Sequence, residues 1–293
     1  MLTCHLYHKR AVMLCVSKRP LILFGGKMQL SFIESCFHAF KDQSALVHNL
    51  TNDVAHNTVA NVLLACRASP AMVHDIQEAP DFVCLSDALA INIGTLTQTR
   101  LNSMLATAKM AHSKGIPWVL DPVAVGATAF RQQACRQLLS LQPDVIRGNA
   151  SEILALAGMS SQSRGIDSGD SVAAAHAAAE ALTQYAKVVV VTGEIDWVTD
   201  GMNRWAINHG HPMMTQVTAI GCALTALIAG FVGANKKAMA QAAVTALCYY
   251  GQAAEHAMQI AQGPGSFYIH FLDSLYALQA TDVSQQARVT LYE

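Results

Sequence analysis

Two rhythms alternate along the chain from residue 45 onward. Short apolar runs rich in β-branched residues (ALVHNL, ALAINIGT, PWVLDP, DVIRGN, KVVVVTG) read as strands. Between them lie longer stretches with apolar residues at helical spacing. DVAHNTVANVLLACR reads as a helix capped by Asn52 or Asp53, RLNSMLATAKMAHSK as one ending at Gly115, and FRQQACRQLLSL as a third. ASEILALAG follows as a helix closed by Gly158, then the alanine-rich DSGDSVAAAHAAAEALTQYA with Ser or Asp caps. KVVVVTG is continuously apolar, as a parallel strand covered on both faces must be. IDWVTDG and NRWAIN read as a hairpin turning at Asp200-Gly201, and helices follow near Gly221, at 237–261 and at 266–280. Upstream, MQLSFIESCFHAF opens at Met28 as an amphipathic helix. The alternation predicts an α/β fold, a mainly parallel central sheet flanked by helices on both faces. No Pro/Gly/Ser-rich linker divides it, so residues 28–293 read as a single domain.

Composition adds a demand for burial. Hydrophobic residues are 52% of the 293 and charged residues 13%, against about 45–50% and about 25% in ordinary soluble domains. Such a chain needs a thick core or a subunit interface, which points to an oligomer. A formal net charge of −1 offers nothing to neutralise a nucleic-acid backbone. No uncharged apolar run reaches the ~18 residues of a membrane span. The eight cysteines are scattered without a CxxC pair, the pattern of reduced thiols in a soluble cytoplasmic protein. Residues 1–27 differ: they carry Lys9, Arg10, Lys18, Arg19 and Lys27 and no acid. Their two apolar bursts are too short for a signal peptide, and the segment reads as a dispensable extension from an upstream start codon.

In an open parallel sheet the chemistry gathers at the carboxyl ends of the strands. Those ends carry His48, Asn49, Thr51 and Asn52; Gly94-Thr95; Asp121-Pro122; Arg147-Gly148-Asn149; and Thr192-Gly193-Glu194. Asp121 and Glu152 suit Mg²⁺, which one or two carboxylates hold together with waters and phosphates; equally, Glu152 makes N-x-x-E capping geometry with Asn149. Arg147, placed directly after its strand, offers a planar fork for phosphate, or a surface salt bridge. Neither a Walker phosphate loop nor a G-x-G-x-x-G after a strand is present. The best anion site is therefore the stretch QVTAIGCALTALIAG, where Gly221 and Cys222 open a helix. Cys222 reads either as packing or as a thiol of lowered pKa in the helix dipole. The twelve histidines form no metal constellation, but His48 or His56 beside Cys222 would make a Cys–His hydrolase.

VHNLTNDVAHNTVANVLLACRASPAM, ALAINIGTLTQTR, PWVLDPVAVGAT, IRGNASEILALAG, VVVVTGEIDWVTDG and QGPGSFYIHFLD together resemble the hydroxyethylthiazole kinase family of thiamine salvage, from about residue 29 to about 280. The resemblance implies a ribokinase-like fold and a homotrimer with active sites between subunits. It implies ATP-dependent phosphorylation of 4-methyl-5-(2-hydroxyethyl)thiazole, with Mg²⁺ held by Asp121 and Glu152. It places Met72, Asn52 and Ala219 against the thiazole, and Arg147, Thr192 and Gly221 against ATP. Cys222 takes the position where related sugar kinases carry an aspartate base. One departure stands out: the family reads Gly-Thr-Gly-Cys where this chain has Ala219-Ile220-Gly221-Cys222. Ala219 adds a methyl and resists a positive φ, and Ile220 lacks a hydroxyl. A homologue that binds nucleotide or thiazole with little turnover therefore stands as the alternative, with the hydrolase behind it.

Overall fold

The computed structural model describes residues 30–160 and 171–292. Helix α1 (Ser31–Gln43) leads into β1 (Leu46–Leu50), α2 (His56–Ala65), the edge strand β2 (Ser69–Ala71) and the short α3 (Ala79–Phe82). Then come β3 (Ala88–Asn92), α4 (Gln98–Lys114), β4 (Trp118–Asp121), α5 (Ala129–Leu139), β5 (Val145–Asn149) and α6 (Ala150–Ser160). Helix α7 (Ser171–Leu182) precedes β6 (Val188–Thr192) and the hairpin of β7 (Asp196–Thr199) and β8 (Arg204–Ile207). The chain finishes with α8 (Ile220–Ala234), α9 (Met239–Met258), α10 (Pro264–Ala277), α11 (Ala280–Gln285) and β9 (Val289–Tyr292).

The strands form one sheet in the order β2-β1-β3-β4-β5-β6-β7-β8-β9, parallel from β2 to β6 and antiparallel beyond. Its central parallel strands are mostly apolar because each feeds two cores, with the polar residues set toward their carboxyl ends. Ala88, Ala90, Val119, Val188 and Val190 face α1, α2, α8 and α9. Leu89, Ile91, Trp118, Leu120, Val189 and Val191 face the layer of α4 to α7. Side chains on a strand alternate in direction, so a run of valines serves both layers. The alanines of β3 lie on the α8 side, where the helix comes close: a Cβ on Gly233 would stand 2.9 Å from the Asp87 carbonyl oxygen.

Thr97 and Thr128 cap α4 and α5, and Gly115 ends α4 at φ 64, as the residue types dictate. Elsewhere the structure corrects the sequence reading. Helix α2 starts at His56 without a side-chain cap; the Asn52 side chain is used in the site instead. Helix α6 runs through Gly158 to Ser160, because a helix tolerates an interior glycine at a cost of only about 1 kcal/mol. His48 and Asn49 lie within β1, and Arg147 within β5 rather than after it. Strands β2 and β9 and helices α3 and α11 are too short to have left a periodic signal. The caps expected before α7 and the proposed extension 1–27 lie outside the described residues.

Candidate active site

The carboxyl ends of β1, β3 and β4 converge on the first turn of α8, at the point where the strand order reverses around β1. Asn52, just past β1, donates from Nδ2 to Asn92 Oδ1 (2.8 Å) and to Cys222 Sγ (3.3 Å). Asn92, the last residue of β3, donates to Asp121 Oδ2 at 2.7 Å, and Thr225 Oγ1 on α8 donates to the same oxygen at 2.8 Å. All four of Asn52, Asn92, Asp121 and Thr225 are buried. Gly94 leaves the space that Asn52 occupies, for a Cβ there would fall 2.6 Å from the Asn52 amide nitrogen. One atom of this network is left over: Asp121 Oδ1 is buried and has no hydrogen-bond partner among the described residues.

The electrostatics follow from that burial. Desolvation pushes the Asp121 carboxyl from 3.8 up to about 6; the Arg147 charge opposes this and the Glu152 charge adds to it. Desolvation also raises the Cys222 thiol, and the Asp121 charge raises it further, against the lowering effect of hydrogen bonds from Asn52 and Asn92. The expected lowering of the thiol pKa at the helix start is thereby overturned. A buried position next to a carboxylate outweighs half a unit of helix-dipole charge.

On the other side of the same turn lies a half that opens outward. Ala219 adopts φ 63 and ψ 6, the left-handed conformation for which glycine would be the natural choice. The first intrahelical bond runs from Ala223 N–H to Ala219 C=O. The amides of Ile220, Gly221 and Cys222 therefore have no acceptor within the helix. Arg147 donates from Nη1 to the Gly221 carbonyl (3.1 Å) and from Nη2 to Thr192 Oγ1 (2.8 Å), with Asp121 Oδ2 3.7 Å away. The fork is thus part of the site, not a surface ion pair. A Cβ on Gly221 would lie 3.2 Å from the guanidinium, which accounts for the glycine.

This half opens into a cleft of about 730 Å³ lined by Arg147, Thr192, Gly221, Ile220, His209 and Tyr250, among others. Tyr250 Oη donates to the Ile220 carbonyl at 2.8 Å and so pins the turn. His209 is held between the Glu255 carboxylate (3.2 Å) and the Arg288 N–H, which donates to its Nε2 (3.0 Å).

The remaining expected residues fall further out. Glu152 makes the capping box in full: Asn149 N–H donates to Oε2 and Asn149 Oδ1 accepts from Glu152 N–H, both at 2.9 Å. Its Oε1 accepts from Ala124 N–H at 2.9 Å. Met72, one residue past β2, is half-buried and packs on the same core as Ala219 and Cys222. Neither histidine reaches the thiol. His48 Nε2 bonds the Val73 carbonyl (2.7 Å), and the His56 ring lies 4.7 Å from that of His74. Among the described residues no group of three or more His, Cys, Asp or Glu is arranged to hold a metal. The reading missed Asn92, Thr225, Tyr250 and His209. Only Asn92 left a signal, as a polar residue inside the apolar run ALAIN.

Comparisons with known proteins give the family. The hydroxyethylthiazole kinase family model matches residues 37–281. A hydroxyethylthiazole kinase of Pectobacterium atrosepticum is 51% identical over 247 residues, 84% of this chain and 93% of that protein. One from Rhizobium etli is 49% identical over 254 residues, 86% and 98% of the two chains. The solved hydroxyethylthiazole kinase of Pyrococcus horikoshii superposes with a TM-score of 0.82 at 37% identity, covering 89% of this chain and 99% of that one. Pyridoxal kinase from Bacillus subtilis, at 16% identity and a TM-score of 0.53 over 74% of this chain and 94% of its own, shares the ribokinase-like fold alone. With half its positions shared across nearly the full length of such relatives, the chain belongs to the hydroxyethylthiazole kinase family.

Proposed function

We propose that the protein transfers the γ-phosphoryl group of ATP to the hydroxyl of 4-methyl-5-(2-hydroxyethyl)thiazole, with the reacting oxygens meeting at the first turn of α8. The observation that carries this reading is that turn itself. One side of it offers free amides and the Arg147 fork, suited to phosphate. The other side offers Cys222 within a buried carboxylate network. Arg147, Thr192 and Gly221 are assigned to ATP, and Met72, Asn52 and Ala219 to the thiazole.

Cys222 is assigned to the attacking hydroxyl. A thiol of raised pKa is a poor base, but phosphoryl transfer through a loose transition state asks chiefly for positioning and charge neutralisation. Cys222 accepts from Asn52, so its own S–H is left to face the substrate oxygen.

Mg²⁺ fits the acids present. Asp121 Oδ1 is a buried oxygen with no partner among the described residues, the atom a cation would satisfy. Both Glu152 oxygens already accept backbone N–H groups, so Glu152 is assigned an outer role, through water. When bound, the ion supplies neutralisation of the phosphate charge. A homotrimer is part of the same reading; exposed Val54 and Ile76, just past β1 and β2, give the thiazole side an apolar rim for a neighbouring subunit.

The test is product analysis. Protein incubated with Mg-ATP and the thiazole alcohol should form the thiazole phosphate, identified by ³¹P NMR, and none when the ion is chelated. Light scattering during the same preparation should give three chains per particle. Formation of ADP without a thiazole phosphate would overturn the assigned acceptor.

A further inference from the structure

A second concave site lies at the opposite end of the sheet. Helix α1 runs down into the amino end of β1, and Arg67 stands just before the amino end of β2. Here Lys41, Arg67, His38, Tyr276, Gln279 and Thr281 line a cavity of about 240 Å³. Nothing in the phosphoryl-transfer chemistry uses it.

Two cations face this cavity without a counter-charge among the described residues. Lys41 Nζ donates to Tyr249 Oη at 3.0 Å and stands 5.2 Å and 5.0 Å from the ring centres of Phe37 and Tyr249. The Arg67 guanidinium lies 5.2 Å from the centre of the Tyr276 ring. Among the described residues no carboxylate oxygen comes within 4.0 Å of either. Asp42, also on the wall, is exposed and pairs with neither. Burial lowers the Lys41 ammonium; Cys66 opposes this, and the Arg67 charge adds a smaller lowering.

The backbone carries a cost as well. Arg67 sits at φ 62, left-handed geometry that disfavours any residue with a Cβ by roughly 1–2 kcal/mol. Glycine would fit there freely, yet the position holds the longest cationic side chain, its guanidinium set against the ring of Tyr276 at the edge of the cavity. Cation–π contacts orient both head groups but neutralise neither. A dianion between them removes the repulsion and satisfies the free donors, and hydroxyl and amide groups from Tyr276, Thr281 and Gln279 are at hand for tetrahedral oxygens.

We propose that Lys41 and Arg67 form a binding site for a phosphate dianion, free or at the end of a small organic molecule, separate from the ATP cleft. The volume admits a phosphate and a few further atoms, and not a nucleotide lying as it would in the larger cleft. The site does not depend on the kinase assignment.

Calorimetry on the full chain tests it, with the ATP cleft filled by a nonhydrolysable ATP analogue. Inorganic phosphate and glycerol phosphate are the two probes; each is titrated at low and high salt. One saturable site per chain is expected, weakened by salt. Tighter binding of glycerol phosphate identifies a phosphoester ligand, and equal or weaker binding identifies free phosphate. Arg67→Gly should fold at least as well as wild type, because glycine accepts the backbone angle. It should weaken the site by about tenfold or more, the scale of one charge-assisted fork; Lys41→Met should act in the same direction. Phosphate binding unchanged in Arg67→Gly, or no saturable binding of either probe to wild type, would overturn the site.

Discussion

The two sides of the first turn of α8 are built on opposite principles. Toward β1, β3 and β4 the turn closes onto Asn52, Asn92, Asp121 and Thr225, all buried and joined by hydrogen bonds of 2.7–2.8 Å. Toward β5 and β6 it opens onto the cleft of about 730 Å³, whose wall carries Arg147 and Thr192. The closed side is fixed in advance and holds the groups assigned to the reacting oxygen. The open side offers donors to a ligand that brings its own charge. Substitutions on the closed side should therefore change turnover, and those on the open side nucleotide affinity.

The largest effect is expected from Asp121→Asn. Loss of the only carboxylate among the described residues with a free buried oxygen should lower kcat by about a hundredfold or more, while the fold gains stability. The sign follows from proton binding. Asp121 ionises near 3.8 in the unfolded chain and near 6 in the folded one, so between these values the native state holds the extra proton and stability falls as pH rises. Above that window Asp121→Asn should melt at a higher temperature than wild type, and below pH 3.8 the gain should vanish. Wild-type activity should run the other way, lost at acid pH as Asp121 takes up its proton, with Mg²⁺ drawing the midpoint below the metal-free value of about 6. Thermal melts across about pH 3–8, and rate profiles over the same range, check both.

Arg147→Gln comes next and probes the open side. It removes the bonds to the Gly221 carbonyl and Thr192, and KM for ATP should rise roughly tenfold with a smaller change in kcat. A fall in kcat alone would blur the distinction between the two sides.

Cys222→Ala should lower kcat by roughly tenfold, well short of the 10²–10⁴ expected for loss of a true general base, with ATP affinity kept. Wild-type turnover in this variant would remove the thiol from the reaction. Cys222→Asp should keep or raise activity if the protein folds around the second acid.

Ala219→Gly should have the smallest effect: a gain of about 1 kcal/mol in stability from relief of the left-handed backbone, read by denaturant unfolding. An unchanged or lowered stability would show that the turn carries no strain.

Much of this arrangement was legible in the residues. The apolar runs of β3 and β6 announced parallel strands because each must feed two cores, and the Gly-Cys pair marked the start of α8. Asp121, Arg147 and Thr192 were legible as polar ends of apolar runs. What escaped is what depends on partners far apart in sequence. Asn52 looked like a helix cap because capping is local, whereas its actual partners lie 40 and 170 residues away. Glu152 left two readings open, and only the three-dimensional proximity of Ala124 N–H showed both its oxygens to be engaged. The thiol pKa was misread for the same reason: the helix dipole is visible in sequence, but burial beside Asp121 is not. Tyr250, inside an apolar helix, gave no hint that its hydroxyl holds the Ile220 carbonyl.

The most direct test of turnover at this turn is a coupled ADP-release assay with Mg-ATP, with and without the thiazole alcohol, on wild type and on an Ala219→Gly/Ile220→Thr variant. Because Ala219 already holds the left-handed geometry, wild type should release ADP only when the thiazole is present, with the variant equal or moderately faster. A silent wild type beside an active variant would mean that the turn keeps its shape without its chemistry. Silence from both folded proteins would contradict phosphorylation of the thiazole outright.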